Sequence, residues 1–527
     1  MINTDHRQIL YRRIFWMLII SVTLFRLMIA GRFGLSNDES HYVLFSRNLA
    51  WGYFDHPPLV AFLGALTSLF GQSVFFVRLG PIICWFLSVI LLRQLALDLY
   101  NDEKIALGAA ILLMLMPVQN LLAIALLPDS TLNVFWCATL LLTWRAMRQG
   151  KWSTWCFSGF FMGGAFLSKY HGILLPMCIF FYILTSHENR KWLASPKPYA
   201  AFFIGLLVFL PNVIWNYQHG WISYAYQIGH GGGSGSFKIG KVFESIGGQM
   251  GAVSPILFVL LVLSFIDMLR TRPVSESDRF VVWTSLPVFV FFCGIGLFGK
   301  VLPHWPAVGL WTGSIALSVT ILRKLGAGGK VAARWRGWLL AGAVLAAAAL
   351  LLVYTAIAVP VIENLYNEAR NASIILSEKT SLIKPIKPFE ASTDITNSLY
   401  GWDKAGRRVE EIRSTMPNPE KTFVFCHKFY TTSQLWPYLD PGTEATTLSS
   451  RPSQYLLWFN PSAHEDWDAL FVDIERWRKG GQKYAPLFKD VDPEYITLNI
   501  FRSKNHLAHR FFIYKCYGFK GKAEEKR

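Results

Sequence analysis

About eleven apolar segments with the length of membrane helices occupy the first two thirds of this 527-residue chain. A helix needs ~20 mostly apolar residues to cross a bilayer. Only 16% of the residues are charged, against ~25% in an ordinary soluble protein. The sequence therefore predicts a polytopic α-helical membrane protein. The segments lie near residues 14–30, 77–98, 105–122, 131–147, 153–168, 172–186, 199–217, 249–269, 280–299, 305–323 and 337–358.

The net charge of +17 comes largely from basic residues in every second loop, which is the positive-inside pattern of membrane proteins. This distribution argues against a nucleic-acid partner. It predicts a cytoplasmic N-terminus, and the odd number of spans then places the C-terminal region outside. The basic groups are Arg7, Arg12 and Arg13; Arg145, Arg148 and Lys151; Arg190, Lys191 and Lys197; Arg270, Arg272 and Arg279; and Arg323, Lys324, Lys330, Arg334 and Arg336.

Two domains are predicted from the drop in hydropathy after Pro360. Residues 1–360 form the transmembrane domain, with a large external loop at 31–76, and residues 361–527 form an extracytoplasmic α/β domain. In the second domain we expect helices at 402–414 and 432–439 and strands at 421–426, 495–501 and 511–516. Cys426 and Cys516 either pair there or stay free thiols, and the sequence leaves this open.

Two acids, Asp38 and Glu39, lie in the first external loop. Ser36 and Glu39 have the spacing of a capping box, so both acids could simply begin a helix. A carboxylate at the start of an interfacial helix is equally well placed to act as a general base. Tyr42, in the aromatic stretch that follows, is a further site candidate.

The same loop continues with Asp55-His56-Pro57-Pro58. The prolines could fix the chain before a helix, but they do not account for the Asp-His pair. That pair offers either a carboxylate and a donor for a phosphate or two metal ligands.

Further polar residues fall where other external loops meet the membrane. Asp129, within Pro-Asp-Ser, either caps the fourth span or belongs to a site. Lys169 and Lys300 either extend their ammonium groups to the interface or compensate the charge of a bound phosphate. His171 and His304 lie beside these lysines and are further candidates. Because ionisable groups near a membrane tend to be functional, we expect a site at the outer surface.

With these motifs the chain resembles the GT-C superfamily of membrane glycosyltransferases. The closer resemblance is to the branch with protein O-mannosyltransferases and the lipid A aminoarabinose transferase, of glycosyltransferase family 39/83 type. It rests on the long first external loop, the paired acids, Asp-His-Pro-Pro and the acid before span four, and it covers residues 10–360. It implies the GT-C fold and sugar transfer from a polyprenyl-phosphate donor.

The resemblance also implies roles for individual residues. Asp38 matches the acid of the family's first loop, a base or acceptor-orienting residue, with Glu39 beside it, and Asp129 matches a second essential acid. Lys169 and Lys300 fall where phosphate-contacting residues lie, while His56 departs from the lysine of some relatives. Some relatives carry a metal, so Asp55 with His230 is a candidate pair for a divalent ion, although no cofactor is expected to be required.

The function predicted on these grounds is an integral membrane glycosyltransferase at the outer face of a bacterial inner membrane. Its acceptor could be lipid A, lipopolysaccharide core, another glycan or a protein. The alternatives are a transporter or flippase of lipid-linked sugars, whose ionisable groups usually lie near the midplane, and a phosphotransferase. The sequence leaves open the sugar, the acceptor and the stereochemical outcome.

Overall fold

Helices dominate the computed structural model of the chain, which describes residues 4–232, 239–379, 384–449 and 452–522. Packing divides the chain into two units. The first unit comprises Met1–Gly31 and Ser46–Leu351, and the second comprises Arg32–Phe45 and Leu352–Arg527. The short segment Arg32–Phe45 therefore packs with the C-terminal part of the chain.

The helices and strands are numbered here in chain order. The first nine helices are α1 (Thr4–Ile29), α2 (Asn37–Arg47), α3 (Leu59–Ser68), α4 (Val74–Tyr100), α5 (Glu103–Leu115), α6 (Pro117–Leu122), α7 (Pro128–Gln149), α8 (Trp152–Ser168) and α9 (Leu174–Thr185). The next eight are α10 (Pro196–Gln218), α11 (Ile222–Gly232), α12 (Ile239–Val253), α13 (Pro255–Arg270), α14 (Glu276–Trp283), α15 (Leu286–Gly296), α16 (Leu310–Gly326) and α17 (Gly329–Ala358). The remaining elements are α18 (Val361–Lys379), α19 (Trp402–Arg413), β1 (Thr422–Cys426), α20 (Phe429–Leu435), β2 (Ala445–Thr447), α21 (Gln454–Trp458), β3 (Asp468–Ile474), β4 (Phe488–Ser503) and β5 (His506–Phe519).

Every predicted apolar segment overlaps a helix or two consecutive helices of the structure. In the described residues, five helical stretches are long and apolar enough to cross a membrane, and a sixth counts if α12 and α13, bent by 105°, form one span. The prediction of a multi-pass helical membrane protein is confirmed. The count of eleven spans stays a prediction.

Small residues bring α8 and α10 close together in the first unit. Gly159 and Gly163 are four residues apart on α8, and a Cβ added at either would lie within 2.8 Å of the backbone of α10. Helices in membranes associate through such close backbone contacts. This packing fixes the end of α8, from which Lys169 projects.

Acids in the first unit pair with basic residues of neighbouring helices. Arg145 Nε donates to Asp98 at 2.5 Å, and Arg323 donates to both carboxylate oxygens of Asp278 at 2.8 and 3.0 Å. Lys324 likewise pairs with Asp267. These basic residues, which were predicted only to orient the chain in the membrane, therefore also tie helices together.

A five-stranded sheet organises the second unit, with strand order β2-β1-β3-β5-β4. β1 is parallel to β2 and β3, whereas β5 is antiparallel to β3 and β4. Alternate residues of the central strands enter apolar clusters on opposite faces. Both faces are thus covered, as is usual for parallel strands.

The predicted α/β character of this region is confirmed, with the expected helix at α19 and strands at β1, β4 and β5. β2 and β3 had not been predicted. Cys426 and Cys516 are buried free thiols that belong to the clusters on opposite faces of the sheet. In this fold they do not pair.

Helix α2 is held within the second unit by side-chain hydrogen bonds. Ser40 Oγ donates to Gln434 Oε1 at 2.8 Å, and His41 Nδ1 lies 2.6 Å from Tyr455 Oη. The capping box predicted at its start is present, because Ser36 N donates to Glu39 Oε2 at 2.9 Å and Glu39 N to Ser36 Oγ at 3.4 Å.

Candidate functional site

A buried ion pair joins two of the predicted site residues in the first unit. Lys169 Nζ donates to both carboxylate oxygens of Asp129, at 2.9 and 2.8 Å, and the two residues are 5% and 3% exposed. A buried carboxylate and ammonium are tolerated because each compensates the other. An ammonium has three N–H donors, so the pair still leaves one for a ligand.

Helix ends place both members of this pair. Lys169 follows the last residue of α8, before a short 3₁₀ turn (Tyr170–Ile173) leads into α9. Asp129 lies in the first turn of α7, whose N-cap is Leu127 and makes no side-chain capping bond. The alternative that Asp129 caps the fourth span is therefore wrong, because its carboxylate is bound to Lys169.

Three histidines from separate segments surround the pair. His56 and His304 both lie within electrostatic range of Asp129, and His304 also lies within range of Lys169. Burial, followed by the charge of Lys169, lowers the pKa of His304 to about 4, so its imidazole is neutral at physiological pH. His171 contacts the ring of Trp305, and its Nδ1 has no hydrogen-bond partner in the described part of the chain. The structure thus brings together five of the predicted residues.

The segment that carries Asp55 and His56 is held by hydrogen bonds from helices α10 and α11. Asn212 Nδ2 donates to Trp51 O at 2.8 Å, and Gln227 Nε2 donates to Asp55 O at 2.6 Å. His56 Nδ1 lies 3.4 Å from Asp55 Oδ2. These contacts fix the position of the Asp-His pair.

Two supporting residues on α10 had not been predicted. Asn212 and Asn216 are fully buried and four residues apart, so they lie on one face of the helix. Asn216 Nδ2 donates to Asn212 O at 3.1 Å. Two amides at this spacing inside an apolar span were the signal that could have identified them.

Two predicted residues of this region are not placed in the cluster. Lys300 is exposed and lies within electrostatic range of Glu244, and it is not among the charges that act on Asp129 or His304. The side chain of His230 lies outside the described structure. Within the described residues, no group of three or more His, Cys, Asp or Glu side chains is arranged to hold a metal ion.

The remaining candidates belong to α2 in the second unit. Asp38 is exposed, whereas Glu39 is 2% exposed and accepts the capping hydrogen bond from Ser36. Tyr42 is 5% exposed and packs against His41 and Phe45. Of these three side chains, only that of Asp38 is open to solvent.

The chain is similar in sequence to known glycosyltransferases. The profile of the dolichyl-phosphate-mannose-protein mannosyltransferase family matches residues 55–215, which include Asp55, His56, Asp129 and Lys169. Lipid A galacturonosyltransferase RgtD of Rhizobium johnstonii is 26% identical over 290 residues, 54% of this chain and 60% of that protein. Lipopolysaccharide core galacturonosyltransferase RgtA of the same organism is 25% identical over 183 residues, 34% of this chain and 37% of that protein. The chain thus spans less than two thirds of these relatives.

The fold is similar to that of ArnT from Cupriavidus metallidurans. The apo structure of ArnT and the structure bound to undecaprenyl phosphate both superpose with a TM-score of 0.62, covering 94% of this chain and 97% of ArnT. Sequence identity is 16% and 17%, so this likeness concerns the fold. The fold expected from the sequence resemblance is confirmed.

Proposed function

We propose that this chain is a membrane glycosyltransferase of the GT-C superfamily that moves a sugar from a polyprenyl-phosphate donor to an acceptor hydroxyl. The observation that carries the proposal is the buried Asp129–Lys169 pair with His56, His171 and His304 around it. These residues come from four segments of a multi-pass membrane protein. A structural ion pair alone would not need three neighbouring imidazoles.

The donor phosphate is the leaving group and gains negative charge as its bond to the sugar breaks. Preorganised donors stabilise such charge most strongly where water is excluded. Lys169 supplies a cation with a remaining N–H, and the neutral His304 can donate a hydrogen bond without electrostatic repulsion from Lys169. Asp129 orients the ammonium of Lys169 by accepting two hydrogen bonds from it.

Asp38 is the proposed base. Its carboxylate takes the proton of the acceptor hydroxyl as the new bond forms between the acceptor oxygen and the anomeric carbon. The bond from that carbon to the phosphate oxygen breaks, and polyprenyl phosphate leaves. Glu39 supports Asp38 through the capping box rather than by proton transfer.

The finer features of the proposal follow the topology and the relatives. The protein has eleven spans in a bacterial inner membrane, with a cytoplasmic N-terminus and residues 361–527 outside. The acceptor is a glycolipid, because the curated relatives are named for transfer to lipid A and lipopolysaccharide core. Lys300 contributes at the rim, and any divalent ion near Asp55 assists without being required.

The test is sugar transfer by the purified chain in detergent, measured as release of polyprenyl phosphate from a polyprenyl-phosphate sugar. Asp129→Asn should reduce the rate of sugar transfer about 100-fold or more. A loss of this size is typical when one preorganised contact to a developing negative charge is removed. The matched control is Asp278→Asn, since Asp278 is also a buried acid paired with an arginine.

Asp278→Asn should lower stability but retain transfer by the protein that remains folded. Equal transfer by wild type and Asp129→Asn would contradict the proposal. Transfer in detergent, where no gradient exists, would also exclude a flippase, because a flippase moves its substrate without changing covalent bonds.

A further inference from the structure

One buried amide of the second unit is bonded to the turn of helix that carries Asp38. Gln434 lies on α20 and is 0% exposed. Its Nε2 donates to Leu35 O and to Asn37 Oδ1, both at 3.0 Å. Its Oε1 accepts a hydrogen bond from Ser40 Oγ at 2.8 Å. The amide of Gln434 therefore contacts the start of α2 on both sides of Asp38 in the sequence.

The segment that precedes α19 is bonded to the same region. Gly34 N donates to Leu399 O at 3.0 Å, and Gln434 Nε2 also donates to Ser398 O at 3.1 Å. All of these residues belong to the second unit. Gln434 thus joins three parts of one unit, namely α20, the start of α2 and the segment before α19.

These bonds fix the rotation of α2 about its own axis. Asn37, Ser40 and His41 are spaced three and four residues apart, so they lie on one face of the helix. His41 on this face also lies close to Tyr455, with 2.6 Å between Nδ1 and Oη. Asp38 is turned ~100° away from Asn37 and is exposed. The face bound to the second unit therefore sets the direction in which Asp38 points.

An amide is the side chain that these contacts require. Glutamine donates through its nitrogen and accepts through its oxygen without carrying a charge. Gln434 uses both abilities at once, because it donates to Leu35 O and accepts from Ser40 Oγ. A carboxylate here could not donate to the carbonyl, and an apolar side chain would leave buried polar groups without partners, at a cost in stability.

A general base depends strongly on its position. It must come within ~2.6–3.2 Å of the atom whose proton it takes. A displacement of ~1 Å caused by a remote substitution can lower a rate about 100-fold. A residue that fixes the turn around Asp38 therefore affects proton transfer although it takes no part in the proton transfer itself.

We infer that Gln434 is a positioning residue for sugar transfer and that it acts by aiming the carboxylate of Asp38 at the acceptor hydroxyl. The role of Asp38 as the base rests on the proposed function, whereas the contacts of Gln434 do not. The inference gives the second unit a part in the reaction, because 394 residues separate Ser40 from Gln434 in the sequence.

The test is the variant Gln434→Met, which has a side chain of similar length and cannot form these hydrogen bonds. In the purified full-length chain, kcat for sugar transfer should fall about tenfold or more, since the base is displaced. Binding of undecaprenyl phosphate, the probe for the donor, should be unchanged. Hydrogen–deuterium exchange followed by mass spectrometry should be faster in the peptide that covers residues 37–43.

Two further variants complete the experiment. Ser40→Ala removes only the bond from Ser40 Oγ and should cause a smaller loss of kcat in the same direction, and it decides the question if Gln434→Met does not fold. The matched control is Thr432→Val. Thr432 is also fully buried on α20, but it donates to Thr446 O on β2 and not to α2, so kcat should stay at the wild-type value.

Three results would overturn the inference. They are wild-type kcat in a folded Gln434→Met protein, an equal loss of kcat in Thr432→Val, and unchanged hydrogen exchange at residues 37–43. A parallel loss of undecaprenyl phosphate binding would also contradict it, because the defect would then lie in donor binding. Absence of transfer by the wild-type chain would refute the proposed function, and the exchange data would still decide whether Gln434 holds α2.

Discussion

At the scale of single residues, the Asp129–Lys169 pair is proposed to act in sugar transfer and also affects the stability of the folded chain. Removing one partner of a buried pair leaves an uncompensated charge and typically costs about 3–5 kcal/mol, whereas replacing both by apolar groups is often neutral. Lys169→Met should therefore lower the unfolding temperature of the purified chain. The double variant Lys169→Met with Asp129→Leu should recover most of that loss without recovering transfer.

This comparison separates stability from chemistry, because the double variant should fold although it lacks both charges. Thermal unfolding followed by tryptophan fluorescence, together with the donor-release assay, gives the two readouts. A double variant that transfers sugar would show that the pair serves only to hold α7 and α8 together.

His427 gives the second unit a pH dependence. Burial, with the neighbouring lysines, lowers the pKa of His427 to about 4, from 6.5, and its Nδ1 lies 2.7 Å from Tyr484 Oη. Between pH 6.5 and 4 the unfolded chain binds a proton that the folded chain does not. Folding stability should therefore fall as pH falls through this window.

The measurement is the unfolding temperature of the full chain at pH 7.5 and pH 5. His427→Gln should reduce the difference between the two values. The control is His187→Gln, since His187 is an exposed histidine in a loop of the first unit, and this variant should behave as wild type does. If all three proteins lost the same stability at pH 5, His427 would not be responsible.

At the scale of elements, α2 carries two adjacent acids with different surroundings. Glu39 is buried and accepts the hydrogen bond of the capping box, and glutamine can accept the same bond. Glu39→Gln should therefore keep most of the transfer activity, whereas Asp38→Asn should abolish it because an amide cannot take a proton. Ser36→Ala should cost about 1 kcal/mol of stability, as loss of an N-cap typically does.

The donor-release assay on these three variants assigns the roles. Loss of transfer in Glu39→Gln, in a protein that unfolds at the wild-type temperature, would move the proton-transfer role from Asp38 to Glu39.

The elements that could be predicted are those with a local signal. The apolar segments and the Ser36–Glu39 capping box were visible because length and spacing alone specify them. Strand β3 was missed because it is buried on both faces, so its sequence Asp-Ala-Leu-Phe-Val-Asp-Ile shows no alternation of polar and apolar residues. Strand β2 has only three residues, too few for any periodicity.

The candidate site was predictable as a set of residues but not as a geometry. Asp129, Lys169 and His304 could be selected because ionisable groups at membrane boundaries are few. That Asp129 and Lys169 form a direct pair depends on how α7 packs against α8, and no local pattern specifies it. The fold also groups residues 32–45 with the C-terminal unit, more than 300 residues away in sequence.

At the scale of the whole molecule, the number of membrane crossings decides which loops lie outside. Eleven crossings place residues 72 and 522 outside and residues 150 and 327 inside, given a cytoplasmic N-terminus. The bent pair α12–α13 is the clearest point of ambiguity, because its 105° bend fits either one broken span or two helices that return to the same side. If one predicted crossing is absent, every loop after it lies on the opposite side of the membrane.

Alkaline phosphatase fused after each of these four positions reports the side directly, since the enzyme is active only when exported. Fusions after residues 72 and 522 should be active, and those after residues 150 and 327 inactive. The fusion after residue 327 tests whether α12 and α13 together cross the membrane. If they return to the same side, residue 327 lies outside and the fusion should be active. An inactive fusion after residue 522 would place that residue in the cytoplasm. This result would contradict the topology predicted from the positive-inside pattern.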